Sequence, residues 1–318
     1  METNILISKF WSRIAALVID ILILSVIGLI VGLAMQNILM EMSTYGFLIG
    51  LLIAVLYFSI YNSKLLNGQT PGKKIVGIQV VDREGNPLSL HRSFLRALIL
   101  CAPYFLLKIE LPGVQVGSDL FYLLIILYLS LMLGVIVIYI FNKGNRQSLH
   151  DTIIGSYVVS AERTEDMTEL PSATKSSFYI FGFSVLILTI FTIVGFTPIN
   201  SEFADLVSIQ KNISAIDGVL HAGVSKNTST VYGEPKSATQ SLVIQLWVKE
   251  LPVNINEIEN IEETREVIKT ILKIEPNINQ YDMISITLIK GFNIGIASWK
   301  KSFSCQKSPT EWESLLDK

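Results

Sequence analysis

The chain has 318 residues, half of them hydrophobic and only 16% charged, with a mean hydropathy of +0.50. Charged residues approach a quarter of an ordinary soluble protein, so that class is excluded and a membrane protein is indicated. A formal net charge of -2 argues against a nucleic-acid partner, which demands a basic face; two cysteines, Cys101 in an apolar run and Cys305 in a polar tail, do not make a disulfide framework.

Taken in chain order, the first apolar stretch, 14–34, has the length of a membrane span, roughly 17 to 25 residues, and is too long for a signal-peptide core. Further spans are predicted at 45–61, 94–111, 120–141 and 178–197, the stretch 94–111 being interrupted by Arg96, Pro103 and Lys108. The loop 36–44 has no Lys or Arg, whereas 62–96 carries Lys64, Lys73, Lys74, Arg83, Arg92 and Arg96. That bias puts the amino terminus and the basic loop in the cytoplasm. Lys143 and Arg146 then belong on the same side, which requires 94–111 to cross and leaves the carboxyl-terminal segment outside the cytoplasm.

After the second span comes NGQTPGKKIVGIQVV, beginning at Asn67, and after the fourth NRQSLHDTIIGSYVV, beginning at Asn145. The two blocks align without a gap, 78 positions apart, and Asn, Gln, Ile, Gly and Val-Val recur. This predicts two helical hairpins, each ending in a cytoplasmic turn and a short strand, related by a pseudo-two-fold axis along the membrane normal. The two strands are placed to pair beneath the membrane. Residues 161–177 turn polar and acidic and read as a cytoplasmic linker.

Residues 199–318 have the composition of a soluble α+β domain. Helices are predicted near 203–214 and 255–274, with strands near 218–225, 240–250, 284–289 and 294–303. The second helix carries a core-facing stripe of Ile258, Ile261, Val267, Ile268 and Leu272.

Two charges stand in the first apolar stretch. Arg13, at the cytosolic mouth, either snorkels to headgroups or takes an ion-pair partner. Asp20 lies about two turns deeper, where a carboxyl group costs roughly 2.5 to 3.5 kcal/mol on insertion scales, so it must face the bundle. There it either fixes helix packing or serves as an ion or proton site. GQTPGKK is a turn and not a phosphate loop, because its glycines are one residue too close and no Ser or Thr follows the lysine. His91, His150 and His221 are scattered, no nucleophile, base and orienting group form a set, and neither a metal, a cofactor nor an enzymatic activity is implied.

RIAALVID entering the first span, GQTPGKKIVGIQVVDREGNPLSL after the second and RQSLHDTIIGSYVV after the fourth together resemble the RDD family of bacterial membrane proteins, named for an arginine and two aspartates. The matching positions are Arg13, Asp20 and Asp151, within a membrane domain of residues 1–160. The resemblance implies a multi-pass protein of the bacterial plasma membrane and a role in transport, with cation/proton exchange proposed for some members. Asp151 falls in the repeat slot of Lys73, so the hairpins meet either through these two or through Arg13 and Asp151, the pairing favoured here; Arg96 is a further candidate partner. Two functions then compete. One is a transporter, in a homo-oligomer, in which Asp20 exchanges a proton for a cation. The other is a non-transporting adaptor whose outer domain binds a protein partner or senses the envelope.

Overall fold

The computed structural model describes residues 7–114, 117–162, 173–196, 200–230, 238–275 and 278–316. In chain order the elements are α1 (Phe10–Ala34), α2 (Gln36–Met42), α3 (Gly46–Tyr61), α4 (Pro71–Val76), β1 (Ile78–Val81), α5 (Leu90–Leu106), α6 (Asp119–Phe141), α7 (Leu149–Ile154), β2 (Tyr157–Ser160) and α8 (Lys175–Phe196). There follow α9 (Asn200–Ile213), β3 (Val219–Thr230), β4 (Ala238–Val248), α10 (Glu262–Ile274), β5 (Met283–Asn293), β6 (Ser298–Lys307) and α11 (Pro309–Leu316). They divide into two compact units: 1–34, 44–196 and 293–298 form one, and 35–43, 197–292 and 299–318 the other.

Four described helical stretches are long and apolar enough to cross a membrane: Phe10–Ala34, Gln36–Tyr61, Asp119–Phe141 and Lys175–Gly195. In α1 the buried residues are Ala16, Asp20, Leu24, Gly28 and Gly32, one stripe at four-residue spacing, while Leu17, Val18, Ile21, Leu22 and Val26 are exposed. Apart from Asp20 and Leu24 the inward residues are small, while most large apolar ones face outward, the reverse of a soluble helix and the pattern expected against lipid. The stretch between the second and third of these is the 17-residue helix α5, which starts earlier than the sequence suggested, at Leu90, because Ser89 caps it by accepting from the Arg92 N–H. At about 1.5 Å per residue it is some 25 Å long, a little short of a hydrocarbon core. It lies against α3 and α6.

At one end of these helices the two repeated blocks fold alike. Helix α4 and helix α7 occupy equivalent positions 78 residues apart, and each stops at a glycine in the left-handed region, Gly77 at φ 72° and Gly155 at φ 69°. The side chain of Gln69 donates to the Ile78 carbonyl at 3.0 Å, and its counterpart Gln147 donates to the Ser156 carbonyl at 2.8 Å. Strands β1 and β2 pair antiparallel, with Val80 opposite Val158 and Ile78 opposite Ser160. Helix α4 rests on α1 and helix α7 on α5, so the same contact recurs in each half.

In the second unit the strand order is β3-β4-β5-β6. Strands β3 and β4 form an antiparallel pair, and β4 and β5 run parallel, joined through α10 as a parallel pair requires. Ile209 and Ile213 of α9, Val267, Ile268 and Ile271 of α10 and Trp312 of α11 pack with Leu242, Ile244, Leu246, Ile284, Ile286 and Leu288 in one core. Ile258 is buried in that core, but it lies in a 3-10 segment, Ile255–Asn260, ahead of α10 rather than within a single long helix. The last strand begins at Ser298, not at 294, because Gly295 at φ 82° turns the chain there. Most of the segment read as a linker, 163–172, lies outside the described residues.

Candidate functional site

Asp20 is 1% exposed, and three donors converge on its carboxyl group. The Tyr57 hydroxyl donates to Oδ1 at 2.8 Å, the Gly72 N–H to the same oxygen at 2.9 Å, and the Thr70 hydroxyl to Oδ2 at 2.5 Å. The donors come from α3, from the residue preceding α4 and from the first turn of α4, so one α1 side chain ties three segments together. Thr70 is held in turn, its Oγ1 accepting from the Lys73 N–H at 3.2 Å as the cap of α4. These bonds offset the cost of burying a polar group in apolar surroundings. Each oxygen is already engaged by protein donors.

Gly72 permits this approach. A Cβ there would run into the Ala16 carbonyl of α1 and meet Asp20 Oδ1 at 2.9 Å. Backbone cannot yield cheaply, so Gly72→Ala is expected to destabilise the first unit by roughly 1–3 kcal/mol, read as a lower thermal midpoint of the purified protein.

Asp151 is 2% exposed and its ion pair is with Arg96, not Arg13. Arg96 reaches Oδ1 through Nη2 at 2.8 Å and Nε at 2.9 Å, Ser156 Oγ donates to the same oxygen at 2.7 Å and Ser148 Oγ to Oδ2 at 3.1 Å. Burial pushes the Asp151 carboxyl up, but Arg96, His150, Arg13 and the Ser156 hydrogen bond outweigh it and hold the group well below the ordinary carboxylate range. His150 is forced the other way: burial depresses its imidazole to about 3, and Asp151 only partly compensates.

Both shifts act on stability with the same sign. His150 titrates near 6.5 when unfolded and about 3 when folded, so the unfolded chain takes up a proton first and stability falls as pH drops through that window. The depressed Asp151 contributes stability above its unfolded value that is lost as pH falls toward its folded one. Thermal unfolding is therefore expected to show a midpoint falling steadily from pH 6.5 to 3, with His150→Gln flattening the upper part. One such group gives at most about 1.4 kcal/mol per pH unit.

Arg13 is satisfied by main chain. Its Nη1 donates to the Arg146 carbonyl at 2.6 Å, its Nη2 to the Val158 carbonyl at 3.2 Å and its Nε to Ser8 Oγ at 2.7 Å, and the guanidinium lies over the Tyr139 ring, 5.2 Å from its centroid. It fastens the start of α1 to the second repeated block, but through carbonyls that no sequence pattern displays.

Lys73, the repeat counterpart of Asp151, donates from Nζ to Asn62 Oδ1 at 2.5 Å. Burial, reinforced by Arg96, lowers its amine to about 7 even though Asp20 and Asp151 pull the other way. The halves are thus charge-inverted. The first has its acid, Asp20, on the long helix and its base, Lys73, on the short one; the second has its base, Arg96, on the long helix and its acid, Asp151, on the short one. Sequence reasoning missed Tyr57, Thr70, Gly72, Ser148 and Ser156. Thr70 and Ser148 carried a signal, as hydroxyl residues at equivalent places ahead of both short helices, whereas Tyr57 carried none.

The model of the RDD family matches residues 7–155. A curated relative, the uncharacterized protein YckC of Bacillus subtilis (strain 168), is 27% identical over 157 residues, covering 49% of this chain and 87% of its own length. No solved structure matches.

Proposed function

From the premise that residues 7–155 are an RDD-family domain, we propose that this domain is a membrane scaffold whose charged residues are assembly latches, and that it carries the carboxyl-terminal α+β domain outside the cytoplasm of a bacterial cell. The observation that supports this reading is the closed shell around Asp20, where Tyr57, Thr70 and Gly72 occupy both oxygens. A carboxyl group whose acceptors are taken by fixed donors holds segments together; an exchanging cation would have to displace them. The basic residues between α3 and α5 favour a cytoplasmic amino terminus, and an outer carboxyl-terminal domain requires α5 to cross as a fifth span. The outer domain then presents a protein-binding or envelope-sensing surface, which small-ion exchange does not need.

The second reading, cation/proton exchange, draws on Lys73. An amine brought to about 7, within the influence of Asp20 and Asp151, is suited to gaining and losing a proton at cellular pH. Proton flux in reconstituted vesicles under Na⁺, K⁺ and Li⁺ gradients separates the two. The scaffold reading expects flux no greater than in empty vesicles; cation-dependent flux that Lys73→Met abolishes in a folded protein would establish exchange instead.

A further inference from the structure

The turn between β5 and β6, Asn293–Ser298, belongs to the first unit rather than to the unit of its flanking strands. Ile294 in it is fully buried, and Ile296 packs against the cluster of Leu24, Phe47, Ala54, Cys101 and Phe105 contributed by α1, α3 and α5. Three glycines make the fit. A Cβ on Gly50 of α3 would land on the Ile294 carbonyl, and one on Gly28 of α1 would meet Ile296 Cγ1 at 2.8 Å and Ala297 Cβ at 3.0 Å. A Cβ on Gly295 itself would meet Phe105 Cε1 at 2.6 Å, at a φ of 82° that an L side chain rarely adopts. The turn is closed internally, Ile294 N–H donating to the Ala297 carbonyl at 3.0 Å and Gly295 N–H to Asn293 Oδ1 at 2.9 Å. Tyr104 Oη reaches the Gly295 carbonyl at 3.4 Å.

We propose that α1, α3 and α5 form a receptor for an apolar β-turn, and that its occupant is this chain's own Asn293–Ser298. The turn is a plug of the helical unit, so the chemistry the receptor selects is a tight Gly-containing turn carrying two isoleucines, with its backbone polar groups satisfied within the turn or by Tyr104. Gly28 and Gly50 are the selecting residues. A backbone passes within contact of a helix only where the helix lacks a Cβ, and the turn brings its main chain to that spot. A surface loop would need neither glycine and would not bury Ile294. The proposal is independent of whether the domain transports ions.

Cys101, in the cluster that Ile296 covers, is a native reporter. In the full-length protein in membranes, with Cys305→Ser removing the other thiol, Gly50→Leu is expected to raise the rate of Cys101 modification by N-ethylmaleimide about tenfold or more, as local opening of a buried site does. An unchanged rate in the folded variant would overturn the proposal. Should Gly50→Leu fail to accumulate, a second variant decides. Ile294 is fully buried only while the turn is seated, so Ile294→Cys, in a background lacking both native cysteines, is expected to resist maleimide in the folded protein in membranes and to label readily once denatured. Ready labelling in the folded protein places the turn elsewhere and refutes the plug.

Discussion

Replacing Arg96 by leucine is expected to abolish accumulation of folded protein in the membrane or to lower its stability by roughly 3–5 kcal/mol, the cost of leaving a buried charge without its partner. Arg96 is 5% exposed and meets Asp151, 2% exposed, through two nitrogens. Ser148 and Ser156 remain as donors in the variant, but neither carries charge. Asp151→Leu should cost about as much for the mirrored reason. The double variant Arg96→Met/Asp151→Leu should cost far less than the sum, because two matched apolar side chains replace a pair whose desolvation was itself expensive. Folded yield and detergent melting of the two singles and the double measure this. Equal losses in all three would mean that the pair acts through something other than mutual charge compensation.

The second large effect is expected at Asp20. Asp20→Ala leaves the Tyr57 hydroxyl, the Thr70 hydroxyl and the Gly72 N–H facing a void, and an unsatisfied buried donor costs about 1–3 kcal/mol each before relaxation. Asp20→Asn is expected to be milder but still damaging, since its NH₂ is turned toward a group that also donates. Tyr57→Phe removes one donor and leaves the carboxyl group two others, so it should be the mildest of the three. The ordering Ala, then Asn, then Phe in loss of melting temperature is what a latch predicts. A proton-exchange site predicts that Asp20→Asn and Asp20→Ala behave alike in flux and keep their fold.

The inward orientation of Asp20 was legible in the sequence because the cost of a carboxyl group in lipid leaves no alternative. Its donors were not. Tyr57 and Thr70 are 37 and 50 residues away; the repeat marks Thr70 as a hydroxyl position matched by Ser148 but does not point it at Asp20, and nothing marks Tyr57. The paired strands were legible from the 78-residue repeat, but each segment read as a turn ahead of them is a short helix, α4 or α7, ended by Gly77 or Gly155 at the same backbone position. The sequence favours Arg13 as the partner of Asp151 because the charge bias places both near the same mouth of the bundle. The structure gives it to Arg96, one turn and a half into α5, while Arg13 is satisfied by the carbonyls of Arg146 and Val158. Backbone acceptors are present at every residue, so a sequence cannot single out which ones an arginine will find. The 293–298 turn was read as the start of a strand for a related reason: NIGIAS has the β-branched pattern of one, and only tertiary contact with Gly28 and Gly50 distinguishes a plug from a strand.

The latch at Asp20 is tested most directly by measuring thermal unfolding and cation-driven proton flux on the same preparation of Asp20→Asn beside the wild type in vesicles. A latch entails a clear drop in melting temperature for Asp20→Asn and no cation-dependent flux in either protein. An unaltered melting temperature together with wild-type flux that the substitution eliminates would contradict it.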